Sequence, residues 1–78
     1  MNNNHIHESA RASLEATLAN RRRKLVEIYQ DHQMRTWAVS RPLGQRSARY
    51  DQRHLLNSQG GIVHTEGAPD YAPAVKRR

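Results

Sequence analysis

The sequence predicts a mainly α fold, with one long N-terminal helix plus a short second helix and an extended flexible C-terminal tail. Three observations favour this fold. Alanine is common before Pro42, and neither glycine nor another proline occurs in that stretch. Apolar side chains there recur at helical spacing. After Pro42, a shorter periodic segment precedes a region that contains further glycines and prolines.

The long helix is predicted from about His7 to about Ser40. Its acidic residues come early and its arginines come later, as the helix dipole prefers. Asp31 and Arg35 are four residues apart, in the order that stabilises a helix. Pro42 ends the helix, because proline disfavours helical geometry at the preceding residue. At about 1.5 Å per residue, such a helix would be about 50 Å long, more than so short a chain can cover by itself.

One face of this predicted helix is apolar. Its members are Ala10, Leu14, Leu18, Leu25, Ile28 and Val39. The leucines and Ile28 also fit the core positions of a heptad repeat, but Arg21 and His32 fall in the same seam and interrupt it. A helical homodimer is therefore an alternative rather than the main expectation. Tyr29 and Trp37 widen the apolar surface toward the C-terminal half of the helix.

The short second helix is predicted at about residues 47–57. Ser47 can cap it, and Leu55 and Leu56 would lie on its apolar face. The glycines at 60 and 61 end it. The expected organisation is a flexible N-terminus at 1–6, a small helical domain at 7–59, and an extended or disordered basic tail at 60–78.

Composition limits the function to a few classes. The chain has 78 residues, a net charge of +6 and no cysteine. The absence of cysteine excludes disulfides and thiolate sites, and a core this small supplies about 3–5 kcal/mol. No catalytic or metal-binding constellation is recognisable, so we expect a non-enzyme without cofactor or metal. No apolar run approaches the length of a membrane span, which leaves the cytoplasm as the default location.

Clusters of basic residues predict binding to phosphates. The first cluster is Arg21, Arg22, Arg23 and Lys24, and the second is Arg46, Arg49 and Arg53, which share one face of the predicted second helix. Such cations gain affinity for RNA or DNA by releasing counterions. The leading interpretation is a small non-catalytic accessory protein of a nucleic-acid-containing assembly.

The alternative is a protein–protein interaction module that docks its basic amphipathic helix on an acidic protein surface. Such a module would be a small regulator, inhibitor or structural subunit, a class that includes phage-encoded proteins. The residues predicted to dock on a protein partner are Leu14, Leu18, Leu25, Ile28, Tyr29 and Trp37. Interface energy concentrates in tryptophan, tyrosine and arginine, and this part of the chain contains all three.

Overall fold

The computed structural model describes residues 6–68, which form one helix and a four-stranded antiparallel sheet in the order β1-β2-β3-β4. The elements are α1 Glu8–Asn20, β1 Arg23–Gln30, β2 Thr36–Pro42, a 3₁₀ turn at Ala48–Tyr50, β3 Gln52–Leu56 and β4 Ile62–Gly67. Each strand pairs with the next strand in the sequence, so the sheet is a simple meander.

The prediction of a mainly α, helical protein is therefore wrong. The helix expected from His7 to Ser40 ends at Asn20, and β1 and β2 occupy most of its second half. The segment 25–29 and the segment 36–39 contain β-branched and aromatic residues, which pack well on a pleated surface. Because the apolar residues in these segments also fit a helical period, their spacing alone does not distinguish a strand from a helix.

The short second helix is also absent from the structure. Residues 48–50 form a single 3₁₀ turn, and β3 follows directly. Leu55 and Leu56 are adjacent, so in a strand they point to opposite faces of the sheet. Residues 62–67 of the predicted tail form β4, while the predicted structures of residues 1–5 and 69–78 lie outside the described residues.

The stop of α1 lacks the glycine that usually marks a helix end. Arg22 adopts a positive φ of 60° just after the helix, and its N–H donates to the carbonyl of Ala19 at 2.9 Å. Asparagine and glycine favour this left-handed conformation, whereas arginine reaches it at a cost of about 1 kcal/mol. The turn from α1 into β1 is therefore not marked by any local signal in the sequence.

The core lies between α1 and one face of the sheet. Leu14 and Leu18 on the helix are fully buried against Ile28, Ala38 and Leu56 of three strands. The apolar stripe predicted on the N-terminal part of the helix is thus real, but it packs on the chain's own sheet. The other face of the sheet carries no helix within residues 6–68, and we call it the open face. None of the described helices is long and apolar enough to cross a membrane.

Candidate functional site

Two connections meet at one end of the sheet and bring the basic clusters together. The turn between α1 and β1 carries Arg21 and Arg22, and the connection from β2 to β3 passes beside it. The N–H of Leu43 donates to the carbonyl of Arg22 at 2.9 Å, and Arg23 pairs with Pro42 across the first two strands. Residues that are about twenty positions apart in sequence therefore share one surface.

The second basic cluster approaches the same surface through the loop before β3. The hydroxyl of Ser47 accepts a hydrogen bond from the N–H of Arg49 at 3.1 Å, which starts the 3₁₀ turn. The guanidinium of Arg49 lies 5.7 Å from the centre of the Tyr50 ring. The Tyr50 carbonyl accepts a 2.7 Å hydrogen bond from the side chain of Arg23. This bond ties the loop to the start of β1.

These contacts create a surface that we call the basic end. It consists of Arg21, Arg22, Lys24, Arg46 and Arg49. All five side chains belong to exposed residues, and none of them forms an ion pair with a carboxylate within residues 6–68. Mutual repulsion among unpaired cations disfavours such an arrangement unless an anion binds there. The basic end therefore presents guanidinium and ammonium donors that are suited to bind an anion.

The carboxylate that follows the loop does not neutralise the basic end, because it is already engaged. Asp51 accepts two hydrogen bonds from Arg41, at 2.7 and 3.0 Å. This bidentate pair raises the pKa of Arg41 above its usual value, chiefly through the hydrogen bond to Asp51. Both partners are about one-fifth exposed.

Arg23 belongs to a buried polar chain rather than to the exposed cluster. Its Nε donates to the Ser40 hydroxyl at 2.7 Å, and that hydroxyl lies 2.8 Å from Nε2 of His54. The other ring nitrogen of His54 lies 2.9 Å from the hydroxyl of Thr65. Since Ser40 and His54 are fully buried, this serine–histidine pair is inaccessible to a substrate. Its role is to satisfy polar groups inside the fold.

Arg53 was also predicted to bind phosphate, but other side chains of the protein already engage it. It is on the open face, where it pairs with Glu66 at 2.6 Å and donates to the Tyr29 hydroxyl at 3.0 Å. Its guanidinium also lies 4.8 Å from the centre of the Trp37 ring. The hydrogen bond to Glu66 is the main reason that the pKa of Arg53 is raised. Because residues 47–57 form a 3₁₀ turn and a strand rather than one continuous helix, Arg53 does not share a helical face with Arg46 and Arg49.

The residues predicted to dock on a partner occupy two different environments. Leu14, Leu18 and Ile28 lie in the chain's own core, and Leu25 packs against them. These four side chains stabilise the monomer and present little surface to another molecule. Tyr29 and Trp37 lie side by side on the open face, where Tyr29 is half-buried and Trp37 is buried.

Sequence reasoning missed an apolar groove at the opposite end of the sheet from the basic end. The groove has a volume of about 770 Å³ and runs between the start of α1 and the turns that follow β1 and β3. Its apolar walls include Ile6, Met34, Leu55 and Val63. Met34 and Val63 are among the most exposed large apolar residues. They come from distant segments, so no local sequence pattern shows the groove.

Comparisons with known proteins add no assignment to these surfaces. No protein-family model matches the chain, and no curated protein or solved structure is significantly similar to it. Among the described residues, no group of three or more histidine and acidic side chains is placed to hold a metal ion. The functional interpretation therefore depends on the geometry of the basic end, the open face and the groove.

Proposed function

We propose that this chain is a small non-catalytic accessory protein that binds nucleic acid, with the basic end contacting phosphates. The observation that carries the proposal is that five exposed cations from two separate segments lie at one end of the sheet and form no ion pair with a carboxylate of residues 6–68. The overall charge of +6 adds a long-range attraction for a polyanion. A nucleic-acid partner also fits the cytoplasmic location expected from the sequence.

The chemistry of the basic end favours phosphates over other anions. Four of its five cations are arginines, whose planar fork matches phosphate oxygens. Tyr50 lies beside Arg49, and cations interleaved with aromatic rings are typical of nucleic-acid surfaces. The surface is made of turns and strand ends, with no exposed helix shaped for a major groove. The proposal is therefore contact with the phosphate backbone, with little reading of sequence.

The experiment is a titration of labelled RNA and DNA oligonucleotides by fluorescence anisotropy at several salt concentrations. Each phosphate contact adds about 0.9 to the slope of log affinity against log salt on duplex DNA, and about 0.7 on a single strand. We expect a slope between about −3 and −4.5, since four or five cations take part. Binding that does not depend on salt, or no binding at low salt, would overturn the proposal.

Matched variants separate the basic end from net charge alone. Arg22→Gln, Arg46→Gln and Arg49→Gln each remove one charge from the basic end. Arg11→Gln removes one charge from α1, where Arg11 is paired with Glu15 at 3.3 Å. Each of the first three variants should make the salt slope shallower by the contribution of one phosphate contact, about 0.7–0.9. Arg11→Gln should leave the slope unchanged. Equal losses in all four variants would contradict a localised site.

A protein–protein interaction module is the second candidate, and the groove favours it. The exposed side chains of Met34 and Val63 on its walls are typical of surfaces that bind a partner. The test compares wild-type protein with Val63→Glu in a nuclease-treated lysate of the native host. A stoichiometric protein that is retained by wild type and lost with the variant supports this candidate. Equal recovery by both forms removes the groove from consideration.

A further inference from the structure

A row of side chains crosses all four strands on the open face. Cross-strand pairing places Tyr29 opposite Trp37, Trp37 opposite Leu55, and Leu55 opposite His64. Directly paired residues point to the same face of a sheet. The core side chains Ile28 and Ala38 are shifted by one residue and point toward α1. The row therefore presents two aromatic rings on the side of the sheet away from the helix.

Two arginine side chains cover the ring of Trp37. Trp37 is only 4% exposed although it lies on the open face. The guanidinium of Arg53 is 4.8 Å from the ring centre, and that of Arg35 is 5.7 Å away. These two side chains are themselves about half exposed, at 49% and 51%. The cover over the tryptophan is thus made of side chains that contact solvent.

The guanidinium of Arg53 is held in a fixed position above the ring. Glu66 accepts from it at 2.6 Å, and the Tyr29 hydroxyl accepts from it at 3.0 Å. A guanidinium is flat and stacks on rings through either side. With Trp37 on one side of Arg53 and solvent on the other, the exposed side is suited to stack on a nucleobase. Tyr29 offers a half-buried ring next to it.

The open face is continuous with the basic end. Lys24 pairs with Arg41, and Arg41 lies on the same face as Trp37 because the two are four residues apart in one strand. Tyr29 pairs with Trp37, and a bulge in β1 keeps Lys24 and Tyr29 on the same face. The two are therefore separated by the length of four strand residues, about 13 Å at about 3.3 Å per residue. A nucleic-acid strand whose phosphates contact Lys24 therefore needs to extend only a short distance to place its bases over the aromatic row.

We propose that the open face binds the unpaired bases of single-stranded nucleic acid, which stack on Arg53 and Tyr29 while the basic end holds the phosphates. This inference rests on the proposed function and names the form of nucleic acid that is preferred. In a duplex the ring faces are already stacked on one another, so they are not available to a flat protein surface. Stacking tolerates any base, which agrees with a site that does not read sequence.

The test compares a single-stranded oligonucleotide with a duplex of the same length and sequence. Trp37 is the only tryptophan in the chain, so its fluorescence reports on the open face without interference. We expect the single strand to bind about tenfold more tightly than the duplex, which corresponds to about 1.4 kcal/mol. We also expect the single strand, but not the duplex, to change the tryptophan fluorescence.

Two variants test the stacking surface and one variant serves as a control. Tyr29→Leu removes a ring but keeps apolar bulk, and Arg53→Lys keeps the charge but removes the flat guanidinium. Both should lower the preference for the single strand severalfold while leaving duplex affinity unchanged. His32→Leu removes an exposed ring from the turn between β1 and β2 and should leave the preference intact. Thermal unfolding of each variant confirms that it is folded before binding is compared.

The outcomes separate this inference from the function on which it rests. Equal binding of single strand and duplex by wild type would overturn the inference and leave phosphate binding at the basic end in place. An unchanged preference in both Tyr29→Leu and Arg53→Lys would overturn it as well. If neither form of nucleic acid binds at low salt, the proposed function fails, and the inference fails with it.

Discussion

The indole N–H of Trp37 donates a 2.9 Å hydrogen bond to Oδ2 of Asp31. Asp31 follows the last residue of β1, and Trp37 is the second residue of β2. The same carboxylate accepts hydrogen bonds from the backbone N–H groups of Gln33 and Arg35 and from the Arg35 side chain, each at 2.9 Å. One acidic side chain thus closes the turn between two strands and fixes the ring on the open face.

This arrangement predicts a dependence of stability on pH. The hydrogen bond from Trp37 and those from Arg35 hold the pKa of Asp31 well below its usual value of 3.8. Because the folded pKa is lower than the unfolded one, the charged carboxylate stabilises the fold above about pH 4. That contribution is lost as the pH falls through the folded pKa. We expect the free energy of unfolding, measured in urea, to fall between about pH 7 and about pH 3.

Asp31→Asn should reduce this pH dependence, because the amide does not titrate. Part of the pH dependence should remain, because the hydrogen bond from Arg53 lowers the pKa of Glu66 from its usual value of 4.5. The charged Glu66 carboxylate therefore also stabilises the fold above about pH 4.5. Glu15→Gln is the control, because Glu15 is half exposed on α1. If Asp31→Asn loses as much unfolding free energy between the two pH values as the wild type does, Asp31 is not the source of the pH dependence.

The buried polar chain predicts a large effect of a small deletion. Ser40→Ala removes the hydroxyl that joins the Nε of Arg23 to Nε2 of His54. Leaving buried polar groups without that partner costs about 1–3 kcal/mol of unfolding free energy. Ser13→Ala is the matched control, because Ser13 is exposed on α1, where alanine is favourable. Equal stability of the two variants would show that the buried hydrogen bonds of Ser40 contribute nothing to the unfolding free energy.

A pair of glycines distinguishes backbone strain from close packing. Gly44 and Gly60 have nearly the same positive φ, 86° and 82°. A methyl group on Gly44 would meet nothing within 4 Å, whereas one on Gly60 would overlap the carbonyl of Ala10 in α1. We expect Gly44→Ala to cost about 1–2 kcal/mol and Gly60→Ala to cost clearly more. Denaturant unfolding measures the loss of stability in both variants. Equal losses would rule out a close contact between Gly60 and the carbonyl of Ala10.

The core predicts which leucines stabilise the free monomer. Leu18 is fully buried and Leu43 is 57% exposed. Leu18→Ala should lower the unfolding free energy by about 2–5 kcal/mol, enough to unfold much of a small domain. Leu43→Ala should have almost no effect. Thermal unfolding followed by circular dichroism measures both, and a stable Leu18→Ala monomer would mean that this side chain serves a partner instead.

Only the first part of the fold could be predicted from the sequence. Ala10, Leu14 and Leu18 were correctly placed on one face of a helix, because their spacing is local. The end of α1 could not be predicted, since Arg22 takes the left-handed position that glycine usually fills. The ion pair of Asp31 and Arg35 forms as expected from its spacing, but in a turn rather than in a helix.

The candidate site was predictable in composition but not in geometry. Both basic clusters are visible in the sequence, yet their convergence depends on contacts such as that between Leu43 and Arg22. Arg23 reads as part of an exposed run, but alternation along β1 turns it inward. The stacking of Arg53 over Trp37 joins two strands, and its geometry follows from their register. Long-range pairing of this kind leaves no local signal.

The most direct measurement is a map of amide chemical shifts by NMR as a short single-stranded oligonucleotide is added at low salt. If phosphates bind at the basic end, the largest changes fall at residues 21–24 and 43–50, and added salt reverses them. Smaller changes should follow along the open face near Tyr29 and Arg53. Changes confined to the groove around Met34 and Val63, or no changes at all, would contradict phosphate binding at the basic end.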